Sequence, residues 1–284
     1  MIAVADHRRV MWTAVGAGVA FGVVYTLSPL TTLSLGLVAA LSAWASQGLS
    51  SRERRWFYAL LAVAVLLRLA IVAGLFLSAD RAEPYAALFG DEQFFKNRAV
   101  WMRNIGMGVP VSAADFIYAF EDTGQTSYLH MLAFIQALVG EAPYGVHVLN
   151  AGLYVTGVLM IYGLVRPAFG SVAAMAGFST LLFFPSLLVW SISALKEPTY
   201  TLVAMGELAC AVVVARDPKW WHRTLGGIGI IVGVVALESL RRGGGGMALV
   251  GVTVGLLGGF IATRPRWLVA GLVAMSPLTT AISL

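Results

Sequence analysis

The sequence contains little charge and only one cysteine. Asp, Glu, Lys and Arg make up 12% of the 284 residues, whereas soluble domains typically contain about 25%. So few charges cannot cover the surface of a soluble protein of this size. The single cysteine, Cys210, excludes an internal disulfide and a cysteine-ligated metal cluster. These deficits exclude a cytosolic enzyme, a disordered chain and a secreted disulfide-rich domain.

Long apolar segments take the place of the missing charge. Apolar residue types make up 59% of the chain, and a membrane-spanning helix needs about 20 consecutive, mainly apolar residues. Because lipid offers the backbone no hydrogen-bond partners, such segments fold as helices. The sequence therefore predicts an all-α, polytopic membrane protein with about nine spans. These spans are expected at residues 10–27, 30–45, 56–78, 144–165, 171–195, 198–215, 225–240, 247–263 and 267–284.

One polar segment, residues 79–143, separates the third and fourth of these runs. It contains more than half of the fourteen acidic residues, and loops of this length are usually functional. Within it, residues 128–139 are apolar but too few to span, which predicts an interfacial or re-entrant helix. We expect an N-terminal membrane anchor region at 1–55, a membrane core at 56–242 and C-terminal helices at 243–284.

The distribution of basic residues predicts the orientation of the chain. Most of the nineteen lysines and arginines lie on the cytoplasmic side if the N-terminus is cytoplasmic. The net charge of +5 therefore reflects topology and not nucleic-acid binding. The same orientation places the polar loop and the turns at Lys196-Glu197 and Arg241-Arg242 on the outer face of the cytoplasmic (inner) membrane.

Two adjacent carboxylates, Asp91 and Glu92, follow Gly90 near the start of the polar loop. Carboxylates at a membrane surface can deprotonate an acceptor hydroxyl or hold a divalent cation such as Mg²⁺ or Mn²⁺. An isolated Asp-Glu pair is, however, more often a solvated loop start. The histidines show no metal-ligand spacing, so no zinc site is expected. His130 and His147 are interpreted as hydrogen-bonded interfacial residues.

A second group of candidates lies between Pro185 and Glu197. On a continuous helix, Pro185 would introduce a kink, and Lys196 would emerge at the outer end. Charges at such a boundary are also common as simple membrane anchors. The residues expected to share one face of that helix are Ser186, Trp190, Ser193 and Glu197.

Further candidates are arginines whose positions the predicted topology does not explain. Arg241 and Arg242 can clamp a phosphate through bidentate hydrogen bonds, and the four glycines at 243–246 would let backbone N–H groups approach the anion. The alternative is a flexible turn. Arg68 lies within an apolar run, where a central arginine costs roughly 2.5–3.5 kcal/mol, so it either snorkels or meets an anion. Glu207 is placed similarly, and the two could also neutralise each other.

These motifs, in this order, resemble those of the polytopic membrane glycosyltransferases of the GT-C fold. The closest resemblance is to the bacterial branch related to protein mannosyltransferases, which usually has Tyr near the acidic pair where this chain has Phe94 and Phe95. The matching residues are Arg68, Gly90-Asp91-Glu92, the 128–139 stretch, the turn from Arg166 to Gly170, and the Pro-Ser, Trp-Ser and Lys-Glu pairs between Pro185 and Glu197.

The resemblance implies a hexosyl or pentosyl transferase, inverting in stereochemistry, that takes a sugar from a polyprenyl-phosphate donor at the outer face. The acceptor would be a glycan, a lipid or a protein, and the other partner would be membrane lipid. Asp91 would be the base, and Glu92 would orient it or help to hold a metal. Donor and phosphate binding would fall to Lys196, Arg241, Arg242 and Arg68, with support from Glu197, Trp190 and Ser186.

Two other functions remain open from the sequence. The last apolar run continues to Leu284, and members of the family usually carry further helices, so we expect a truncated or minimal member. That expectation favours a non-catalytic subunit of a polysaccharide assembly system. A lipid or solute transporter is the other alternative, in which Arg68 and Glu207 would be the functional charges.

Overall fold

The computed structural model describes residues 28–78, 87–122, 126–141 and 144–262, with side chains to 259, and a few positions between 11 and 18. All regular secondary structure within these residues is helical, as the sequence predicts. The ten helices described are α1 (Pro29–Ala45), α2 (Ser51–Leu77), α3 (Gly90–Gly106), α4 (Ala113–Phe120), α5 (Ser127–Val139), α6 (Gly145–Phe183), α7 (Pro185–Ile192), α8 (Glu197–Arg216), α9 (Trp220–Leu240) and α10 (Gly244–Ala262). The run predicted at 267–284 lies outside the described residues, as does nearly all of 10–27.

Four of these helices, α2, α6, α8 and α9, are long and apolar enough to cross a membrane. This confirms the expected membrane-helix character of the chain. Helices α1 and α5 are apolar but shorter, and α5 begins one residue before the short stretch predicted at 128–139. The polar loop contains helices α3, α4 and α5, and Arg98 ties the first two together by donating to the carbonyl oxygens of Ala119 and Glu121.

The longest helical stretch, α6, reverses direction at Gly170. This residue has φ 82° and ψ 172°, a conformation open essentially only to glycine. A straight helix would hold Tyr162 and Phe178 about 24 Å apart, yet their ring centroids are 5.0 Å apart. Two antiparallel segments, 145–169 and 171–183, therefore pack against each other, in agreement with the two separate runs predicted there.

The run predicted at 171–195 is not one helix, which corrects the expectation from its apolar composition. The helix ends at Phe183, and Pro185 begins the short helix α7 because proline fits the first turn of a helix but not its interior. After Ile192 the chain is non-helical until α8 begins at Glu197. The predicted common face is therefore wrong, because its members lie on α7 (Ser186 and Trp190), in the linker (Ser193) and on α8 (Glu197).

The chain divides into two compact units, Met1–Met205 and Gly206–Leu284. In the first unit, α6 packs against α1, α2 and α7, and α3 packs against α4 and α5. Its core includes a stack of Phe57 on Phe178, with ring centroids 5.1 Å apart. In the second unit, α9 packs against α10.

Candidate functional site

A cluster of buried polar side chains lies in the first unit, around the N-terminal half of α3. Two carboxylates in the first turn of α3 favour a helix start, because the N-terminal end of a helix carries partial positive charge. Asp91 is exposed, whereas Glu92 and Lys96, one turn apart on the same face, are 0% and 2% exposed. Glu92 Oε2 accepts a hydrogen bond from the Leu88 backbone N–H at 3.2 Å.

His147, from the first turn of α6, joins this face of α3 to the end of α7. Its Nδ1 lies 2.8 Å from the carbonyl oxygen of Ile192. Because a carbonyl only accepts, Nδ1 carries the proton, and Nε2 is left to accept from Lys96 Nζ at 2.8 Å. Glu92 Oε2 lies 3.8 Å from the same Nε2. One buried imidazole on α6 therefore contacts both α3 and the end of α7.

The non-helical linker between α7 and α8, residues 193–196, is held by side chains from earlier helices. The Asn150 amide nitrogen lies 2.7 Å from the carbonyl oxygen of Ser193 and 2.9 Å from that of Leu195. The Tyr128 hydroxyl donates to the carbonyl oxygen of Ala194 at 2.9 Å and accepts from Asn150 at 3.1 Å. Non-helical backbone at membrane depth is tolerated only where such partners replace the helical hydrogen bonds.

Burial controls the ionisation of this cluster. It raises the pKa of Glu92, an effect that the nearby Lys96 ammonium partly offsets. It lowers the pKa of Lys96 to about 8, with Glu92 acting in the opposite direction. Burial also raises the pKa of the Tyr128 hydroxyl, so that hydroxyl stays a hydrogen-bond donor. A neutral His147 between opposite charges is the arrangement that keeps the net buried charge smallest.

The structure brings together two of the sequence motifs that carry candidate residues. Phe89, immediately before Gly90-Asp91, stacks on Trp190 of α7, with ring centroids 4.7 Å apart and ring planes 12° apart. Trp190 remains 40% exposed. An exposed carboxylate and a partly exposed indole therefore lie at the same end of α3. Lys196, the last residue of the linker, and Glu197, the first residue of α8, are half-buried.

Arg68 is enclosed by protein and has its own partners. It is 1% exposed, and its guanidinium donates to Ser191 Oγ at 2.9 Å and to the carbonyl oxygens of Ala64 at 3.1 Å and Leu182 at 3.0 Å. The Leu182 carbonyl is one of the last in α6, which the break before Pro185 leaves without a helical donor. These bonds join α2 to the α6–α7 junction, so the geometry favours a packing role for Arg68 over donor binding.

The second unit contains the Arg241-Arg242 turn. The backbone N–H groups expected to bind an external anion already bind a carboxylate of the chain itself. The Glu238 carboxylate accepts from the backbone N–H groups of Gly243 and Gly245, both at 3.0 Å. Arg241 and Arg242 are exposed. The backbone of the turn thus binds the Glu238 carboxylate. The guanidinium groups of Arg241 and Arg242 face the solvent.

Within the described residues, no three His, Cys, Asp or Glu side chains lie close enough to share a metal ion. The divalent cation considered from the sequence stays a prediction, and no step of the proposed reaction depends on one. Family models, curated proteins and solved structures yielded no match to this chain. Its function must be argued from the site itself.

Sequence reasoning missed most of the buried cluster. In the sequence, Lys96 is one charge among many in a polar loop, Asn150 is an isolated polar residue near the start of an apolar run, and the hydrogen-bond partners of His147 are not identifiable. Their partners are each other or backbone carbonyls more than forty positions away. The one available indication was that polar residues in a predicted span need internal partners.

Proposed function

We propose that this chain is a membrane glycosyltransferase of the GT-C type. It transfers a sugar from a polyprenyl-phosphate donor to an acceptor at the outer face of the cytoplasmic membrane. The reaction takes place where the Asp91 end of α3 meets α7 and the start of α8. The resemblance in motif order and the geometry of this one site support the proposal.

The stacking of Phe89 on Trp190 is the observation that carries the proposal. Two of the motifs on which the resemblance depends, those at Gly90-Asp91-Glu92 and at Pro185 to Glu197, are about a hundred residues apart in sequence, and nothing in their local patterns requires them to meet. Their contact brings an exposed carboxylate and a partly exposed indole to one region of the first unit, and the half-buried Lys196 follows the indole by six residues in the chain. A base, a platform for a sugar ring and a cation are what glycosyl transfer needs.

Each residue of the site has a chemical role in this proposal. The acceptor hydroxyl oxygen attacks the anomeric carbon as its proton passes to Asp91. The bond from that carbon to the phosphate oxygen breaks, and the phosphate departs with the electron pair. Lys196 stabilises the departing charge. Trp190 packs against the apolar face of the sugar, and Glu92, held by Leu88 and Lys96, fixes the helix turn that presents Asp91.

The topology follows from the same proposal. The N-terminus is cytoplasmic, the chain crosses the membrane about nine times, and the loop containing α3, α4 and α5 faces outward. Polyprenyl-linked sugars serve as donors on that side because nucleotide sugars are absent there. In this topology Arg241 and Arg242 also lie on the outer side, against the positive-inside trend.

The experiment that tests the proposal replaces the base without changing its shape. Asp91→Asn should reduce sugar transfer from a polyprenyl-phosphate donor by about 10²–10⁴-fold. The matched control is Asp122→Asn, because Asp122 is an exposed aspartate in the same loop, and it should leave the rate unchanged. Normal turnover by the Asp91 variant, or equal losses in both variants, would exclude Asp91 as the base.

One observation favours a transporter as the second candidate function. The α7–α8 linker interrupts a helical path beside buried ionisable groups, and discontinuous helices of this kind form substrate and ion sites in secondary transporters. Reconstitution into liposomes separates the two functions. Substrate uptake that survives Asp91→Asn, without sugar transfer by the wild type, would support the transporter.

A further inference from the structure

Glu207 lies near the middle of a helix that is long enough to cross a membrane. It falls close to the midpoint of α8, which runs from Glu197 to Arg216. At about 1.5 Å per residue, its Cα lies roughly 14–15 Å from either end of the helix. That depth corresponds to the centre of a hydrocarbon core about 30 Å thick.

The Glu207 side chain is buried, and the two neighbours that the structure gives it in the second unit, Gly233 and Cys210, carry no charge. It is 4% exposed, and its Oε1 is buried without a hydrogen-bond partner among the described residues. Opposite it on α9 is Gly233, where an added Cβ would come within 3.2 Å of Glu207 Cβ and 3.6 Å of its carboxyl carbon. The titratable group beside it is Cys210, one turn further along α8.

Glycines on α9 bring this carboxyl close to the neighbouring helix. Added Cβ atoms at Gly226 and Gly229 would lie 3.0 Å from the Cys210 carbonyl oxygen and 2.5 Å from its sulfur. Small residues at this spacing let two membrane helices approach closely. The carboxyl therefore lies inside the α8–α9 contact.

The described basic residues of this unit lie far from Glu207 along the helices. Arg216 ends α8, Arg223 is in the first turn of α9, and Arg241 follows α9. Each is about 12 Å or more along the helix axis from the level of Glu207 or Gly233. By contrast, Glu53 in α2 has Arg166 at 2.7 Å and 2.9 Å. An ionised carboxylate at the position of Glu207 would lack any such compensation.

We propose that Glu207 is a proton-binding site within the membrane. Its carboxyl carries a proton under conditions in which carboxyls outside the spans are ionised, and the α8–α9 contact is built around the neutral acid. The ligand is the proton itself. The proposal is independent of the glycosyltransferase assignment, because it concerns another unit of the chain and needs no sugar chemistry.

A hydrophobic carbodiimide tests the proposal directly. Dicyclohexylcarbodiimide adds to a protonated carboxyl. The acid proton moves to a carbodiimide nitrogen, a carboxyl oxygen bonds to the central carbon, and rearrangement gives a stable N-acylurea with no leaving group. The full-length protein in lipid nanodiscs is treated at about pH 5.5, where an ordinary solvated glutamate is mostly ionised. Peptide mass spectrometry then locates the adduct.

We expect roughly tenfold more adduct at Glu207 than at the ion-paired Glu53, because an uncompensated charge at the centre of a membrane helix is costly and the neutral acid is favoured there. The adduct should disappear in Glu207→Gln and decline as the pH is raised. Infrared difference spectra of wild type and variant should show a carboxylic acid carbonyl band in the wild type. If the wild type shows a carboxylate band at Glu207, or equal labelling at Glu53, the proposal is wrong.

Discussion

Lys96 Nζ lies 2.8 Å from His147 Nε2, and both side chains are almost completely buried. A lysine this deep in a protein is ordinarily paired with a carboxylate, and Glu92 is present one turn away on α3. The imidazole therefore adds a third side chain to the buried pair of Lys96 and Glu92. It links the helix that presents Asp91 to the α7–α8 linker, so changes to Lys96 should alter the site and the fold together.

The first prediction concerns the pH dependence of stability. Because burial lowers the pKa of Lys96 to about 8 in the folded protein, the unfolded chain binds more protons between about pH 8 and the ordinary lysine value of about 10.4. Stability should therefore rise with pH across this window, by up to roughly 3 kcal/mol from this one group. Lys96→Met should remove the rise in thermal unfolding of the detergent-solubilised protein. Lys219→Met, at an exposed lysine, should retain it, and parallel pH profiles for wild type and Lys96→Met would contradict the prediction.

The second prediction concerns the amide that holds the linker. Asn150→Ala removes the donor shared by two carbonyl oxygens and the Tyr128 hydroxyl, which should destabilise the protein by at least about 2 kcal/mol. Asn150→Asp should be worse, because it points an acceptor at three oxygens. Thermal unfolding midpoints measure both, with exposed Asn97→Ala as the neutral control. Equal midpoints for the Asn150 and Asn97 variants would show that the linker needs no such donor.

The third prediction concerns the reversal within α6. Gly170→Ala should cost about 1–3 kcal/mol, because φ 82° with ψ 172° is strained for any residue with a Cβ. Gly177 lies in the helical segment that follows, and a Cβ there would meet open space. Gly177→Ala should therefore be neutral or stabilising by up to about 1 kcal/mol. Comparing the two melting temperatures tests the hairpin, and a stable Gly170→Ala variant would argue for a continuous helix.

The fourth prediction concerns topology. Ala114 is exposed at the start of α4, and a cysteine there leaves the Ser112 capping hydroxyl in place. In a Cys210→Ala background, Ala114→Cys should react with an impermeant maleimide on intact cells, because the proposed topology places this loop outside. Labelling that requires permeabilised cells would reverse the topology, and with it the outer-face reaction.

Some elements were predictable from the sequence because their cause is local. The apolar run at 56–78 became α2, which starts slightly earlier because Ser50 caps it by accepting from the Glu53 N–H. The stretch at 128–139 became α5 because its length already excluded a span. Gly170 separated two runs because only glycine adopts its conformation.

Other features could not be predicted because they depend on contacts between distant segments. The apolar residues at 171–195 gave no reason to end a helix at Ile192, since the carbonyls freed there are satisfied by Tyr128, His147 and Asn150. Arg68 looked available for an anion until its partners on α6 and α7 were known. Composition predicts which segments are apolar, but it does not predict which polar groups meet.

The α7–α8 linker also has a consequence for how the protein is made. Released alone into lipid, this segment would expose the carbonyl oxygens of Ile192, Ser193, Ala194 and Leu195 to an environment that cannot solvate them. The side chains that the structure shows bonding to those oxygens, Tyr128, His147 and Asn150, come from α5 or α6 and precede the linker in the chain. Because synthesis proceeds from the N-terminus, the helices that carry these donors have already been synthesised when the linker leaves the ribosome. Insertion into the membrane in the order of translation is therefore sufficient to provide hydrogen-bond donors for these carbonyl oxygens. A permuted chain that began at α7 would insert the linker before its donors were present.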